Sequence, residues 1–125
     1  MTVARRRTGE IAEDLVANRL AAAGWEIVER NARTRYGELD IVARDGRTLV
    51  FIEVKGAREG TQFGPERPIL SIDRRKQQRV RRLATAWMSE RRSRLPYDEI
   101  RFDAVGVTLN RDDRAVHVDY VKGAF

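Results

Sequence analysis

Along the first fifth of the chain the small and apolar residues fall at helical steps, and they then change to alternation. From Thr8 to Ala23 the positions Gly9, Val16, Leu20 and Ala23 share one side, Asp14 and Asn18 lie opposite, and Gly24 stands where a helix would stop. Glu13 falls on the apolar side. Trp25–Glu29 alternates and predicts a strand, NARTRYG (31–37) predicts a basic turn, and Leu39–Ala43 and Thr48–Val54 predict two further strands. Asp45-Gly46 between them is a hairpin signal.

Residues 56–70 hold three glycines and two prolines and predict a mobile loop. A second helix is expected from a Ser71 cap, with Asp73 in its first turn, to about Arg92. Its stripe is Ile72, Val80, Leu83, Ala84, Trp87 and Met88, with Lys76 near the middle. Pro96 ends that segment, and Ile100–Leu109 and Ala115–Val121 read as two last strands. The expected order is α, β, β, β, α, β, β in one α/β domain over residues 1–125, preceded by a flexible basic arm at 1–7.

Composition narrows the chemistry. The chain of 125 residues has no cysteine, which excludes disulfides, thiolate zinc sites and a cysteine nucleophile. One histidine, His117, excludes histidine-rich metal sites and is expected to be structural. No apolar stretch approaches a membrane span, and the amino terminus lacks a signal-like apolar region, so a cytoplasmic protein is expected. Net charge is +6 and the pI is about 10.4, pointing to an anionic partner, nucleic acid first and no membrane. Nearly all cations are arginine. Lysine occurs only at Lys55, Lys76 and Lys122, and lysine, unlike arginine, can shift its pKa and move protons.

The stretch VFIEVK (50–55) poses the chemical question, because a strand with a period of two puts Glu53 and Lys55 in line with Leu49 and Phe51. With Asp45 and Gly46 as loop residues, Arg44 faces Arg47, Asp40 faces Phe51 and Glu38 faces Glu53. Asp40 is then a diagonal neighbour of Glu53, with Cα atoms about 7–8 Å apart. Glu38, Asp40 and Glu53 on one half-buried face repel one another. Lys55 offsets one charge, and a hard dication such as Mg²⁺ or Mn²⁺ would offset two through oxygen ligands. The competing interpretation is an exposed hairpin face with ordinary Glu/Lys pairs. Glu13 and Lys76 each lie on the sheet-facing side of a predicted helix and can reach this face, although a lysine so placed can also snorkel to water.

These segments resemble the UPF0102 (YraN-like) family of small bacterial proteins, which are similar to the PD-(D/E)XK, restriction-endonuclease-like superfamily. The matching residues are Gly9-x-x-Ala12-Glu13, Asn31-x-Arg33, Gly37-Glu38-Leu39-Asp40, Asp45-Gly46, Phe51-Ile52-Glu53-Val54-Lys55, Phe63-Gly64, Lys76 and Arg101-Phe102-Asp103. The resemblance implies an αβββαβ core, a mixed central sheet flanked by helices, and an extra C-terminal strand. It also implies Mg²⁺- or Mn²⁺-dependent hydrolysis of phosphodiester bonds. Asp40, Glu53 and Glu13, with the Val54 carbonyl, are then metal ligands, while Lys55 and Lys76 join Asp40, Glu53 and Glu13 as catalytic residues. Three positions depart from the family pattern: Ala12 where a glycine is usual, Arg19 where an aromatic is usual, and Arg58 in place of an arginine closer to the lysine.

Arg33, Arg35, Arg58, Arg74 and Arg75 are expected to grip a nucleic-acid backbone, DNA before RNA. Tyr36 and Phe63 either stack on an unpaired base or pack in the fold. A non-catalytic nucleic-acid-binding module with an idle site is the rival expectation, and an assembly factor docking on an acidic protein is a third. Resolvase-like relatives imply a homodimer by analogy.

Overall fold

The computed structural model describes residues 3–60, 67–91 and 96–125. In chain order it holds helix α1 (Val3–Ala22) and strands β1 (Glu26–Thr34), β2 (Gly37–Asp45) and β3 (Thr48–Arg58). A 3-10 turn (Pro68–Ser71), helix α2 (Arg74–Glu90) and strands β4 (Glu99–Leu109) and β5 (Ala115–Val121) follow. This is the αβββαβ order of a restriction-endonuclease-like core with one further strand. The five strands form a single mixed sheet in the order β1-β2-β3-β4-β5, antiparallel except for β3 against β4. Parallel neighbours need a crossover, and α2 lies between β3 and β4 in the chain.

Alternation along the strands divides the core in two. On one face Ala12, Val16 and Leu20 of α1 cover Ile41, Ala43, Val50, Ile52 and Val105. On the other, Val80, Leu83, Ala84 and Trp87 of α2 cover Val42, Leu49 and Phe51. Trp87 meets Phe51 edge-on at 5.8 Å between ring centroids, and its indole N–H donates to Glu29 Oε1 at 3.0 Å. The largest buried ring therefore keeps its polar atom paired while contributing roughly 2–3 kcal/mol of apolar burial. Among the described residues no helix is long and apolar enough to cross a membrane.

Local chemistry moves several boundaries from where the sequence pattern puts them. Helix α1 begins at Val3 rather than Thr8, so Arg5–Arg7 extend the helix instead of forming a loose arm, and the Thr8 hydroxyl donates back to the Ala4 carbonyl at 2.9 Å. Strand β1 continues past Glu29 to Thr34 and pairs Ala32 with Leu39 and Thr34 with Gly37, leaving Arg35 and Tyr36 as the turn. Asn31 tolerates φ +50° within it, which is why a polar run resembling a turn can remain a strand.

The second hairpin pairs Asp45 with Thr48, so Gly46 and Arg47, not Asp45 and Gly46, form its loop. The register slips by two residues. An even slip keeps every side chain on its face. At α2 the cap is Asp73, whose carboxylate accepts the Lys76 N–H at 3.0 Å, while Ser71 closes the 3-10 turn. Residues 56–58, expected in a loop, belong to β3.

Candidate functional site

The β2–β3 ladder ends at Ile41–Ile52, and counting one rung further brings Asp40 level with Glu53. That makes the two acids direct rather than diagonal neighbours. Asp40 Oδ2 accepts the Val54 N–H at 2.8 Å, and the Asp40 and Glu53 carboxyl groups lie close enough for each to bear on the other's pKa. The pleat is also irregular here, because Leu39 and Val42 join the same core cluster although regular alternation would separate them. In a strand a residue's N–H and C=O project to the same side, so the Val54 carbonyl looks toward the same gap.

Helix α1 brings a third acid. A Cβ on Gly56 would stand 2.9 Å from Ala12 Cβ and 3.1 Å from the Thr8 carbonyl oxygen, so the helix rests on bare strand backbone at this point. Ala12 fits in place of the usual glycine because Gly56 leaves room for it. Its neighbour Glu13 carries a buried Oε1 that, alone among the buried side-chain nitrogen and oxygen atoms of the described residues, has no hydrogen-bond partner. Burial, and next the charge of Asp40, push the Glu13 pKa up to about 8, against the opposing pull of Arg30.

Three cations stand around the acids. Lys76 Nζ lies 3.8 Å from Glu53 Oε1, so the lysine in the apolar stripe is paired across the site while remaining partly exposed. Burial, then the Asp40 charge, raise the Glu53 pKa to about 8 despite Lys76 and Arg79. Burial likewise raises Asp40, opposed first by its bond from the Val54 N–H. Lys55 is pulled below the ordinary lysine value by burial and then by the charges of Lys76 and Arg5. Arg79 is a site residue absent from the sequence expectations. Its spacing of three from Lys76 on a helix was the available signal. Arg75, Lys76, Arg79 and Arg82 line one basic cleft at the start of α2.

The remaining expected residues fall in different places. Glu38 is exposed at the rim, paired in register with Arg33, and its charge still bears on Glu13 and Asp40. Arg33, Arg35, Arg74 and Arg75 are exposed. Arg58 instead is engaged inside the fold: it donates to Thr8 Oγ1 at 3.2 Å and to the Asn110 carbonyl at 2.9 Å, and it pairs with Asp113 at 2.5 Å. It ties α1 to the β4–β5 turn. Phe63 and Gly64 lie outside the described residues. His117 is exposed on β5 with Nε2 3.2 Å from Asp119 Oδ1.

Asp103 of the Arg101-Phe102-Asp103 segment is fully buried. It accepts two bonds from Arg101 at 2.8 and 3.0 Å, one from the Tyr120 hydroxyl at 2.6 Å and one from the Gly123 N–H at 2.9 Å. Its role is to clasp the C-terminal strand.

Asp40, Glu53, the Val54 carbonyl and the orphan oxygen of Glu13 form an oxygen-only donor set. Among the described residues no three acidic, histidine or cysteine side chains enclose a metal position by themselves. Mg²⁺ commonly binds through one or two carboxylates while keeping waters and substrate phosphates as its other ligands, so this donor set fits a hard dication.

Comparison with known proteins agrees over most of the chain. Residues 12–107 match the profile of the uncharacterised protein family UPF0102. A UPF0102 protein of Moorella thermoacetica is 46% identical over 125 residues, covering all of both chains. One from Nocardia farcinica is 44% identical, covering 97% of this chain and 91% of its own. Another, from Acidothermus cellulolyticus, is 43% identical over 98% of this chain and 96% of its own.

Proposed function

The chain belongs to the UPF0102 family, a membership that names no reaction, and we propose from the site itself that it is a metal-dependent nuclease. Its substrate is nucleic acid, DNA before RNA, and the bond hydrolysed is the phosphodiester. What supports this is the crowding of Asp40 against Glu53 at the open end of the β2–β3 ladder, with Lys76 beside it. Crowded carboxylates short of compensating charge weaken a fold, and such a cluster is useful where the missing charge arrives with a ligand.

Asp40, Glu53 and the Val54 carbonyl, with Glu13 alongside, would hold Mg²⁺ or Mn²⁺. When bound, such an ion polarises the scissile phosphate and lowers the pKa of a water. The protein's own groups do the positioning. The Val54 N–H fixes the Asp40 carboxylate, and Lys76 holds Glu53. Lys55, with its lowered pKa, orients the attacking water or the phosphate and can hold a proton at Nζ. Lys76 and Arg79 present positive charge to a neighbouring phosphate. Arg33, Arg35, Arg74 and Arg75 grip the backbone without reading sequence, which makes affinity fall steeply with salt. We place this activity in the cytoplasm.

The test is cleavage of branched, single-stranded and duplex DNA, with RNA in parallel, in Mg²⁺ and in Mn²⁺. The wild type is compared with Asp40→Ala and Glu53→Ala. Cutting that needs both the metal and the two acids is expected. Binding that persists with no such cutting would assign the chain to the non-catalytic nucleic-acid-binding class instead.

A further inference from the structure

Tyr36 stands at the tip of the β1–β2 hairpin and is 57% exposed. A large aromatic in that position loses the benefit of burial, yet the turn that carries it is built to hold it. The Thr34 hydroxyl donates to the Gly37 carbonyl at 2.9 Å and accepts the Tyr36 N–H at 3.1 Å. The Arg35 N–H donates to Glu90 Oε2 at 3.3 Å, mooring the tip to the end of α2. The Arg35 guanidinium lies over the Tyr36 ring at 5.1 Å from its centroid.

The tip is also tied to the acid cluster. Gly37 has φ +144°, and a Cβ there would meet an Arg79 guanidinium nitrogen at 3.1 Å. The charge of Arg79 bears on Glu53. Tyr36 is four residues from Asp40 along the strand, about 13 Å at about 3.3 Å per residue. A held, exposed aromatic paired with an arginine, among further exposed arginines, is the combination that stacks unpaired bases while gripping their phosphates.

We infer that Tyr36, with Arg35, is a stacking platform for an unpaired base, so that the site prefers nucleic acid with single-stranded character next to the position of cleavage. This rests on the nucleic-acid assignment above and adds the substrate's form. A fully paired duplex keeps its bases stacked and gives the ring nothing to take up.

The experiment measures equilibrium binding without divalent metal, so that it does not depend on cutting. A single-stranded oligonucleotide and its blunt duplex, each carrying 2-aminopurine, are titrated with wild type, Tyr36→Ala and Tyr36→Phe. Circular dichroism confirms that each variant is folded. For the single strand, Tyr36→Ala is expected to weaken binding about tenfold and abolish fluorescence quenching, while Tyr36→Phe stays within about twofold and duplex binding is unchanged. Equal losses on both substrates, or no loss on either, would overturn the inference. Asp40→Asn is measured in the same titration. If it binds like the wild type while neither protein cuts in Mg²⁺ or Mn²⁺, the nuclease assignment fails and the stacking result stands.

Discussion

Two acidic centres share this sheet, one buried and one half-buried, and they are finished to different degrees. Asp103 is completely enclosed, yet both of its oxygens accept hydrogen bonds, from Arg101, Tyr120 and the Gly123 N–H. Asp40 and Glu53 are short of donors, crowd each other, and stand near a third acid with an orphan oxygen. Burial of a carboxylate therefore does not mark function by itself. Burial without enough donors is the better pointer to a candidate site, because folding leaves there an electrostatic deficit that a ligand can fill.

The contrast is most exposed to test at Asp103. Asp103→Ala removes the fully buried acceptor of four hydrogen bonds and is expected to cost about 3 kcal/mol or more, read as a lower urea midpoint. Asp40→Asn in metal-free buffer at pH 8 should cost far less or stabilise. Equal losses would erase the distinction between the two centres.

A somewhat smaller effect should come from metal. Mn²⁺ at a hundred times its Kd should stabilise the wild type by about 2.7 kcal/mol, seen as a rise in Tm. The Asp40→Asn/Glu53→Gln double variant should show none of it. A full rise in that variant would place the ion elsewhere.

The smallest expected effect is on pH dependence. Glu13 and Glu53 have folded pKa values near 8 against an ordinary value of 4.5, so the unfolded chain releases these protons first as pH rises. The contribution of these two groups to metal-free stability should thus be complete below their ordinary value of 4.5 and decline through about pH 8, by on the order of 1 kcal/mol after solvent screening. Glu53→Gln should flatten the decline, and saturating Mn²⁺ should reverse its direction. A wild-type curve that rises across this window would contradict the proton-holding state of the cluster.

Much of this was legible in the residue pattern, for reasons that can be named. The period of two put Glu53 and Lys55 in line with Phe51, and the helical stripes put Glu13 and Lys76 toward the sheet. Both periodicities are properties of backbone geometry and survive errors in loop position. For the same reason the hairpin register could slip by two residues without moving an acid to the other face.

What the pattern missed depends on pairing and on side-chain reach. Strand β1 continues through NART because Ala32 is buried opposite Leu39, and no local composition reveals a partner strand. Asp73 outcompeted Ser71 as the cap because the 3-10 turn before it uses Ser71 internally. Arg58 looked like a free phosphate contact until α1 and the β4–β5 turn closed around it. Arg79 was one arginine among many until Gly37 let it settle beside the hairpin.

The seat of α1 on Gly56 has a consequence for how the chemistry could drift or be retuned. Bare strand backbone under the Ala12 methyl and the Thr8 carbonyl acts as a depth stop, fixing the standoff of Glu13 above the acid pair. One additional methyl at position 56 would lift the helix like a shim. A change with no charge would then alter the spacing of the acid cluster without touching a carboxylate.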